Sequence, residues 1–376
     1  FVRSLSYMKL LLSFFLILFS FLAFNADKDI DVQSPPFYNV DKVWVNQTMS
    51  SMTLDQKIAQ LFMVAAYSNK GKSHQKELEN LISNYHIGGL MFMQGGPIRQ
   101  LRLTNSYQSL SKVPLMIAQD AEWGLSMRID STIRFPWQMT LGAIQNDSLI
   151  YQMGLEIARQ CKRLGVHINF APVVDVNSNP KNPIINNRSF GENPFRVAQQ
   201  SLAYMQGLQD GGVLACAKHF PGHGDTDADS HKTLPTINHS YERLDSIDLI
   251  PFKSLFDKGL GSVMVAHLHI PALDDTDSLA STLSDKVVNG LLKDTLGFKG
   301  LVITDALNMK GVSQFYEPGE VDLKALLAGN DVLLFAEDVP KAIEKIKEAI
   351  ANRDISEEEI DKRCRKILMT KKWFGL

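Results

Sequence analysis

The segment Lys218–His231 carries a dense set of side chains able to move protons. It holds one lysine, three histidines and three aspartates, separated by glycines and one proline. The apolar run Val213–Ala217 precedes it and has the pattern of a short buried strand. The chain is therefore predicted to leave a strand and enter a loop at Lys218. Loops that follow buried strands often carry catalytic side chains, so we expect the chemistry of this protein here.

Seven further apolar runs resemble Val213–Ala217, and polar residues follow most of them. Each run is short and continuous, which is typical of parallel strands that are buried on both faces. The other candidates are Leu61–Ala65, Gly89–Met93, Leu115–Gln119, Ile168–Val174, Ser262–Ala266, Leu301–Thr304 and Val332–Phe335. Amphipathic segments lie between them, among which are Leu149–Leu164, Phe195–Gly207, Ser284–Leu296 and Pro340–Asn352.

Eight strands alternating with helices predict an α/β fold, a single large (β/α)8 barrel of the TIM type. The active site of such a barrel gathers at the carboxyl ends of the strands. A doubly wound open sheet is the alternative, but there the polar motifs should flank one switch point rather than follow nearly every strand. Thr53 with Gln56 has the pattern of a capping box that starts a helix, and Glu357–Lys372 is predicted to form the last helix.

The composition excludes several classes of partner. The 376 residues contain 39 Lys and Arg against 41 Asp and Glu, a net charge of -2. This balance gives no electrostatic argument for nucleic acid or for an anionic membrane surface, and a neutral or small polar ligand suits it better. The three cysteines are too few and too widely spaced for a disulfide framework or a zinc site.

The first residues have the pattern of a secretory leader. Met8, the expected initiator, and Lys9 precede the apolar run Leu10–Phe24 and a polar stretch. We assign residues 8–26 to a signal peptide or N-terminal anchor and expect export to the periplasm or beyond. The run is shorter than the roughly 20 residues of a membrane span, although a retained anchor is the alternative. No stable membrane partner is expected unless the leader is retained.

Four ordered motifs resemble glycoside hydrolase family 3, in its bacterial β-N-acetylglucosaminidase branch. They are the segment Lys218–His231, the Asp-x-Glu-x-Gly motif at Asp120–Gly124, the Arg-Ser-Phe-Gly motif at Arg188–Gly191 and the Thr-Asp-Ala-Leu motif at Thr304–Leu307. The resemblance covers about residues 48–370, and it implies that residues 48–372 form the family's catalytic (β/α)8 domain. It also implies an exo-acting, retaining β-N-acetylhexosaminidase without a cofactor or metal.

The resemblance assigns three residues to catalysis. Asp305 matches the nucleophile, and a carboxylate suits that role because it can form and release a glycosyl ester. His231 matches the acid/base and Asp229 its partner. An imidazole with a pKa of about 6.5 can give and take a proton near neutral pH, and a carboxylate can orient it. Taken alone, Asp305 could equally cap the next helix, and Asp229 and His231 could be ordinary loop residues.

The resemblance also implies the residues that hold the sugar. Carboxylates, a lysine and an arginine fork can clasp vicinal hydroxyls. The implied binding residues are Asp120, Arg128, Arg188, Lys218 and His219. The family's usual motif is Asp-Gln-Glu-Gly-Gly-Arg, whereas the arginine of this chain comes later, at Arg128. This departure concerns the binding role of Arg128 and leaves that of Asp120 in place. Glu122 could be a buried structural partner.

Four more polar residues have expected roles that are structural. His267 and His269 are expected to brace the base of the pocket, and His223 with Asp225 to shape the loop through internal hydrogen bonds.

The sequence leaves several functions open. The leading expectation is hydrolysis of terminal N-acetylglucosamine from peptidoglycan fragments or related amino-sugar oligosaccharides. Phosphorolysis is a close alternative, since a histidine donor does not leave an anion to repel phosphate. A β-glucosidase of the same family and a non-catalytic carbohydrate-binding barrel are further alternatives. A metal-dependent hydrolase is a further alternative, with His267 and His269 as ligands together with His219, His231 and Asp305. In metal-dependent barrels such a pair commonly lies at the first strand, whereas here it follows the sixth.

Overall fold

The computed structural model describes residues 34–227 and 233–376. The leader assigned to residues 8–26 lies outside the described residues, and so do Asp229 and His231. Within the described ranges, no helix combines the length and the apolar character that crossing a membrane requires.

Eight parallel strands form the centre of the molecule. They are β1 Phe62–Tyr67, β2 Gly89–Gln94, β3 Met116–Gln119, β4 Ile168–Asn169, β5 Leu214–Phe220, β6 Ser262–Val265, β7 Leu301–Thr304 and β8 Leu333–Leu334. Their order in the sheet is β7-β6-β5-β4-β3-β2-β1-β8, and every ladder is parallel. Ile303 also pairs with Val332, and the backbone N–H of Val332 donates to the carbonyl of Val302 at 3.1 Å. These contacts bring β7 against β8 and close the ring, so the predicted barrel is confirmed.

Helices connect the strands. The longer ones are Val43–Ser51, Lys72–Asn80, Pro97–Leu110, Ser148–Arg163, Pro194–Asp210, Leu249–Phe256, Lys286–Thr295, Glu320–Leu327, Val339–Asn352 and Glu357–Trp373, and a shorter one is Leu54–Ala59. The capping box predicted at Thr53 is confirmed, since Gln56 N–H donates to Thr53 Oγ1 at 3.3 Å and Thr53 N–H donates to Gln56 Oε1 at 3.0 Å.

Two strands differ most from their predicted extents. β4 ends at Asn169 rather than at Val174, and Pro172 in this stretch lacks the N–H that a ladder needs. β5 continues to Phe220, so the expectation that the loop begins at Lys218 was wrong. Lys218 and His219 are buried strand residues, and the pairing of β5 with β6 is irregular between Ala217 and Phe220. The barrel wall itself, not a loop, therefore positions them.

The last helix packs on the amino-terminal end of the barrel. Lys366 Nζ contacts Asp331 Oδ2 at 2.8 Å, and the same carboxylate oxygen accepts the N–H of Val302 at 2.9 Å. Lys371 Nζ donates to Gln60 Oε1 at 2.6 Å, just before β1. Lys366 Nζ also lies 3.3 Å from the carbonyl oxygen of Gly300. Because Gln60, Gly300 and Asp331 precede β1, β7 and β8, the helix covers the end of the barrel opposite the strand-end motifs.

Candidate active site

A cavity of about 440 Å³ opens at the carboxyl ends of the strands. Six residues assigned from the sequence line it together: Asp120, Arg128, Arg188, Lys218, His219 and Asp305. They come from the segments after β3, β4 and β7 and from β5 itself, as the barrel topology requires.

A cluster of paired charges forms one wall of the cavity. Lys218 Nζ lies 2.6 Å from Asp120 Oδ1 and 2.7 Å from Glu122 Oε1. Arg188 forms a bidentate ion pair with Glu122, in which Nε lies 2.9 Å from Oε2 and Nη2 lies 2.8 Å from Oε1. Arg128 contacts Asp120 as well, so the altered spacing of this motif still brings Arg128 to the site. Three cations therefore surround two carboxylates.

The pairing keeps both carboxylates ionised. Burial alone would raise the pKa of Asp120, but Lys218 and Arg128 outweigh it and hold that pKa well below its usual range. Burial opposes ionisation of Glu122 too, and the charges of Arg188 and Lys218 lower its pKa. The pKa of Lys218 is raised by its two carboxylate partners in spite of burial. The side chain of Glu122 is 1% exposed and does not line the cavity, so its role is to hold Arg188 and Lys218 in place.

Asp175, which sequence reasoning missed, anchors the next part of the site. Its carboxylate accepts the backbone N–H of His223 at 2.8 Å and of His219 at 3.1 Å, and His219 Nδ1 lies 2.7 Å from Oδ2. Arg188 Nη2, which can only donate, lies 3.2 Å from His219 Nε2. His219 Nε2 is therefore the acceptor. Nδ1 then carries the ring proton and donates a hydrogen bond to Asp175 Oδ2. The signal was available, because Asp175 directly follows the apolar run of the fourth predicted strand.

Asp305 stands at the end of β7 with a half-buried carboxylate that lines the cavity. Its Oδ1 accepts the N–H of Ala306 at 2.8 Å, and its own N–H donates to Val265 at 2.9 Å. Burial would raise the pKa of Asp305, but its interactions with His267 and with the N–H of Ala306 lower it. The next helix begins at Lys310 with Met309 at its N-cap, so Asp305 does not cap it. An ionised carboxylate on a fixed peptide thus faces the cavity.

Hydrogen bonds within the loop and with neighbouring segments hold the described part of the loop after β5. His223 is buried, its Nδ1 lies 2.8 Å from Thr226 Oγ1, and its carbonyl accepts from Asn182 Nδ2 at 2.8 Å. Asp225 pairs with His239. These contacts agree with the loop-shaping roles expected of His223 and Asp225, although His223 also lines the cavity.

Methionines form much of the apolar wall, and sequence reasoning did not single them out. Those that line the cavity are Met91, Met93, Met127, Met264 and Met309. Met91 and Met93 share a face of β2 through the two-residue period of a strand, which is the signal that could have found them.

Within the described residues, no group of three or more His, Cys, Asp or Glu is arranged to hold a metal ion. His267 contacts Thr282 and the carbonyl of Ala306.

Comparison with known proteins gives this site a family. Residues 53–370 match the model of the glycosyl hydrolase family 3 N terminal domain. The chain is 39% identical over 281 residues to beta-hexosaminidase A of Pseudoalteromonas piscicida, which covers 69% of this chain and 47% of that protein.

Two solved structures extend the comparison. A family 3 beta-N-acetylglucosaminidase from Paenibacillus sp. is 36% identical with a TM-score of 0.81, covering 86% of this chain and 63% of that one. The beta-glucoside phosphorylase BglX, bound to 2FGlc, is 26% identical with a TM-score of 0.85, covering 92% and 63%. The chain spans less than two-thirds of the length of each of these relatives. Since the family model matches most of the sequence and the barrel carries the matching motifs, this chain belongs to glycosyl hydrolase family 3.

Proposed function

We propose that this protein is an exo-acting, retaining β-N-acetylglucosaminidase whose catalytic domain spans residues 48–372. The observation that carries the proposal is the ionised carboxylate of Asp305, which shares one cavity with the charged cluster around Lys218. A retaining glycosidase needs a nucleophile below the sugar ring and hydrogen-bonding groups that fix the ring above it. The similarity to the Pseudoalteromonas and Paenibacillus enzymes supports the same activity.

In the proposed first step, an Asp305 oxygen attacks the anomeric carbon while the bond to the leaving oxygen breaks. The acid/base assigned by family resemblance, His231 with Asp229, protonates that oxygen. In the second step the same histidine takes a proton from water, whose oxygen displaces Asp305 from the anomeric carbon. Configuration is retained because two inversions cancel.

The charged cluster is proposed to hold the sugar. Lys218 spends two of its three N–H donors on Asp120 and Glu122, which leaves one for a sugar hydroxyl. Asp120 retains acceptor capacity beside its contacts with Arg128 and Lys218. Because these groups are already paired with one another, their geometry is set before substrate arrives, and little ordering entropy is lost on binding.

The activity is tested with 4-nitrophenyl glycosides that differ only at the 2-position. We expect turnover of the N-acetylglucosaminide, and faster turnover of the glucoside would instead assign a β-glucosidase. Asp305→Asn should lower kcat by about a thousandfold or more, because an amide cannot form the glycosyl ester. Asp257→Asn, on an exposed aspartate at a helix end, is the control and should leave kcat unchanged. Undiminished turnover by Asp305→Asn would remove the nucleophile assignment.

Phosphorolysis is a second candidate, favoured by the similarity to the phosphorylase BglX. Its second step uses phosphate in place of water, so the product would be a sugar 1-phosphate. Adding phosphate to the same assay and identifying the product distinguishes the two reactions. For the hydrolase we expect free sugar and no dependence on phosphate.

We further propose that the enzyme is exported and acts on terminal N-acetylglucosamine of peptidoglycan fragments or similar amino-sugar oligosaccharides. The apolar run Leu10–Phe24 behind Lys9 supports export. Partition of the expressed protein between cell fractions tests it, and retention inside the cell would count against it.

A further inference from the structure

His267 is a fully buried histidine next to Asp305 in the strand order, and both of its ring nitrogens have partners. Nδ1 lies 2.9 Å from Thr282 Oγ1, and Nε2 lies 3.0 Å from the carbonyl oxygen of Ala306. Ala306 in turn donates its N–H to Asp305 Oδ1. His267 therefore contacts the peptide that carries the nucleophile assigned above.

The protons in this group can be counted. A carbonyl oxygen can only accept, so Nε2 of His267 must carry a proton. The hydroxyl of Thr282 has a single proton, and it lies 2.6 Å from the carbonyl oxygen of Ala266 and 3.1 Å from that of Val265. Were the proton turned to His267 instead, two oxygens would stand 2.6 Å apart with no hydrogen between them.

The hydroxyl proton of Thr282 thus belongs to Ala266, and Thr282 can offer His267 only a lone pair. Nδ1 must then donate as well. A histidine that donates through both ring nitrogens is an imidazolium cation.

We propose that His267 is a protonated positioning residue that fixes the Asp305–Ala306 peptide and stabilises the Asp305 carboxylate by its charge. This inference rests on the proposed function, in which Asp305 is the nucleophile. The Asp305 carboxylate is then an opposite charge that compensates a buried imidazolium.

The electrostatics of Asp305 agree with this arrangement. Among the influences that lower the pKa of Asp305, the interaction with His267 is the largest. Lys218 adds to it from β5. The His267 ring also contacts the uncharged Thr282 and the carbonyl oxygen of Ala306.

A cation at this position acts on the second chemical step in particular. When water attacks the anomeric carbon, the bond from that carbon to the Asp305 oxygen breaks and its electron pair returns to the carboxylate. The water proton passes to the acid/base. An adjacent imidazolium stabilises the negative charge that develops on the departing carboxylate. Loss of the His267 charge should therefore slow release of the sugar from Asp305 more than it slows attachment of the sugar to Asp305.

The charge state is measured first, by NMR of the protein labelled with 15N-histidine. His267→Gln assigns the His267 signals by their disappearance. We expect both ring nitrogens to keep their protons from pH 5 to pH 8. A ring that is neutral at pH 7 would overturn the proposal, whether or not any glycoside is turned over. Failure of all glycosides to react would instead count against the proposed function alone.

Kinetics measure the consequence. In His267→Gln the acid limb of kcat/KM should move up by about one pH unit, because Asp305 loses an opposite charge. Both kcat and KM should fall, kcat by about tenfold, with a burst of 4-nitrophenol as the glycosyl-enzyme accumulates. An unmoved acid limb would contradict the proposal.

Thr282 supplies the matched pair if His267→Gln does not fold. Thr282→Val keeps the shape but removes the acceptor for Nδ1, so it should move the acid limb in the same direction. Thr282→Ser keeps the hydroxyl and should restore the wild-type pH profile. Identical profiles for the two variants would refute the proton count.

Discussion

At the scale of single residues, the site is built from buried ions that neutralise each other. Glu122 is an example, because its carboxylate is fully buried and is neutralised by contacts with both Arg188 and Lys218. Neither cation would be tolerated in this wall without a carboxylate close by. Positioning of the proposed sugar-binding groups and stability of the barrel therefore depend on the same residue.

Replacing Glu122 tests that dependence. Glu122→Gln should lower the free energy of unfolding by about 3–5 kcal/mol, because it leaves buried cations without a charged partner. Urea unfolding measures the change. Glu348→Gln is the control, since Glu348 pairs with Lys345 on the exposed face of a helix. Such a pair contributes only about 0–1 kcal/mol. Equal losses in the two variants would show that the buried cluster adds nothing beyond a surface pair.

At the scale of elements, β5 and the loop after it carry different residues of the site. The strand carries Lys218 and His219, and Asp175 ties their backbone to the segment after β4. The loop then passes close to that same segment at Gly224. A Cβ on Gly224 would lie 1.7 Å from the carbonyl oxygen of Val176, a distance that only movement of the backbone could relieve. Close packing against Val176 thus fixes the backbone of the described part of the loop at Gly224.

Gly224→Ala should therefore displace the loop that carries the proposed acid/base. We expect kcat/KM to fall by about a hundredfold or more, since displacements of about 1 Å have effects of this size. The aryl glycoside assay measures it, together with thermal unfolding. Gly71→Ala is the matched control, because a Cβ there meets no atom within 4 Å. Full activity of Gly224→Ala would mean that the contact with Val176 does not position the loop.

At the scale of the whole molecule, the last helix closes the end of the barrel away from the site and buries a lysine there. Burial lowers the pKa of Lys371 to about 7, against about 10.4 for an exposed lysine. Between these values the unfolded chain binds more protons than the folded one. The free energy of unfolding must then rise with pH in this window. Below pH 7 both states are protonated, and the full penalty for the buried charge applies.

This predicts a pH dependence that Lys371→Met should lack. From pH 7 to pH 10 the wild type should gain up to about 4 kcal/mol of unfolding free energy relative to the variant. Urea unfolding at intervals across this range measures it, and other titrating groups cancel in the difference. Parallel curves for the two proteins would show that Lys371 does not titrate in this window.

The sequence alone was sufficient for the barrel and for bringing six of the predicted site residues to one cavity. Strand formation and burial depend on short stretches of side chains, so the apolar runs predicted all eight strands. The carboxyl ends of parallel strands meet at one face, so the polar residues after those runs were predicted to meet there, as Asp120 and Asp305 do. Asp175 satisfied the same rule and was overlooked.

Tertiary structure decided the partners and the charge states. Lys218 and Asp120 are 98 residues apart, and only closure of the barrel brings their side chains to 2.6 Å. The proton on His219, the ionisation of Asp305 and the charge proposed for His267 all depend on burial and on such distant partners. Local sequence fixes which groups can ionise, but desolvation and the geometry of their neighbours determine which of them do. The fold itself therefore assigns Lys218–Phe220 to β5, although local sequence predicted that a loop begins at Lys218.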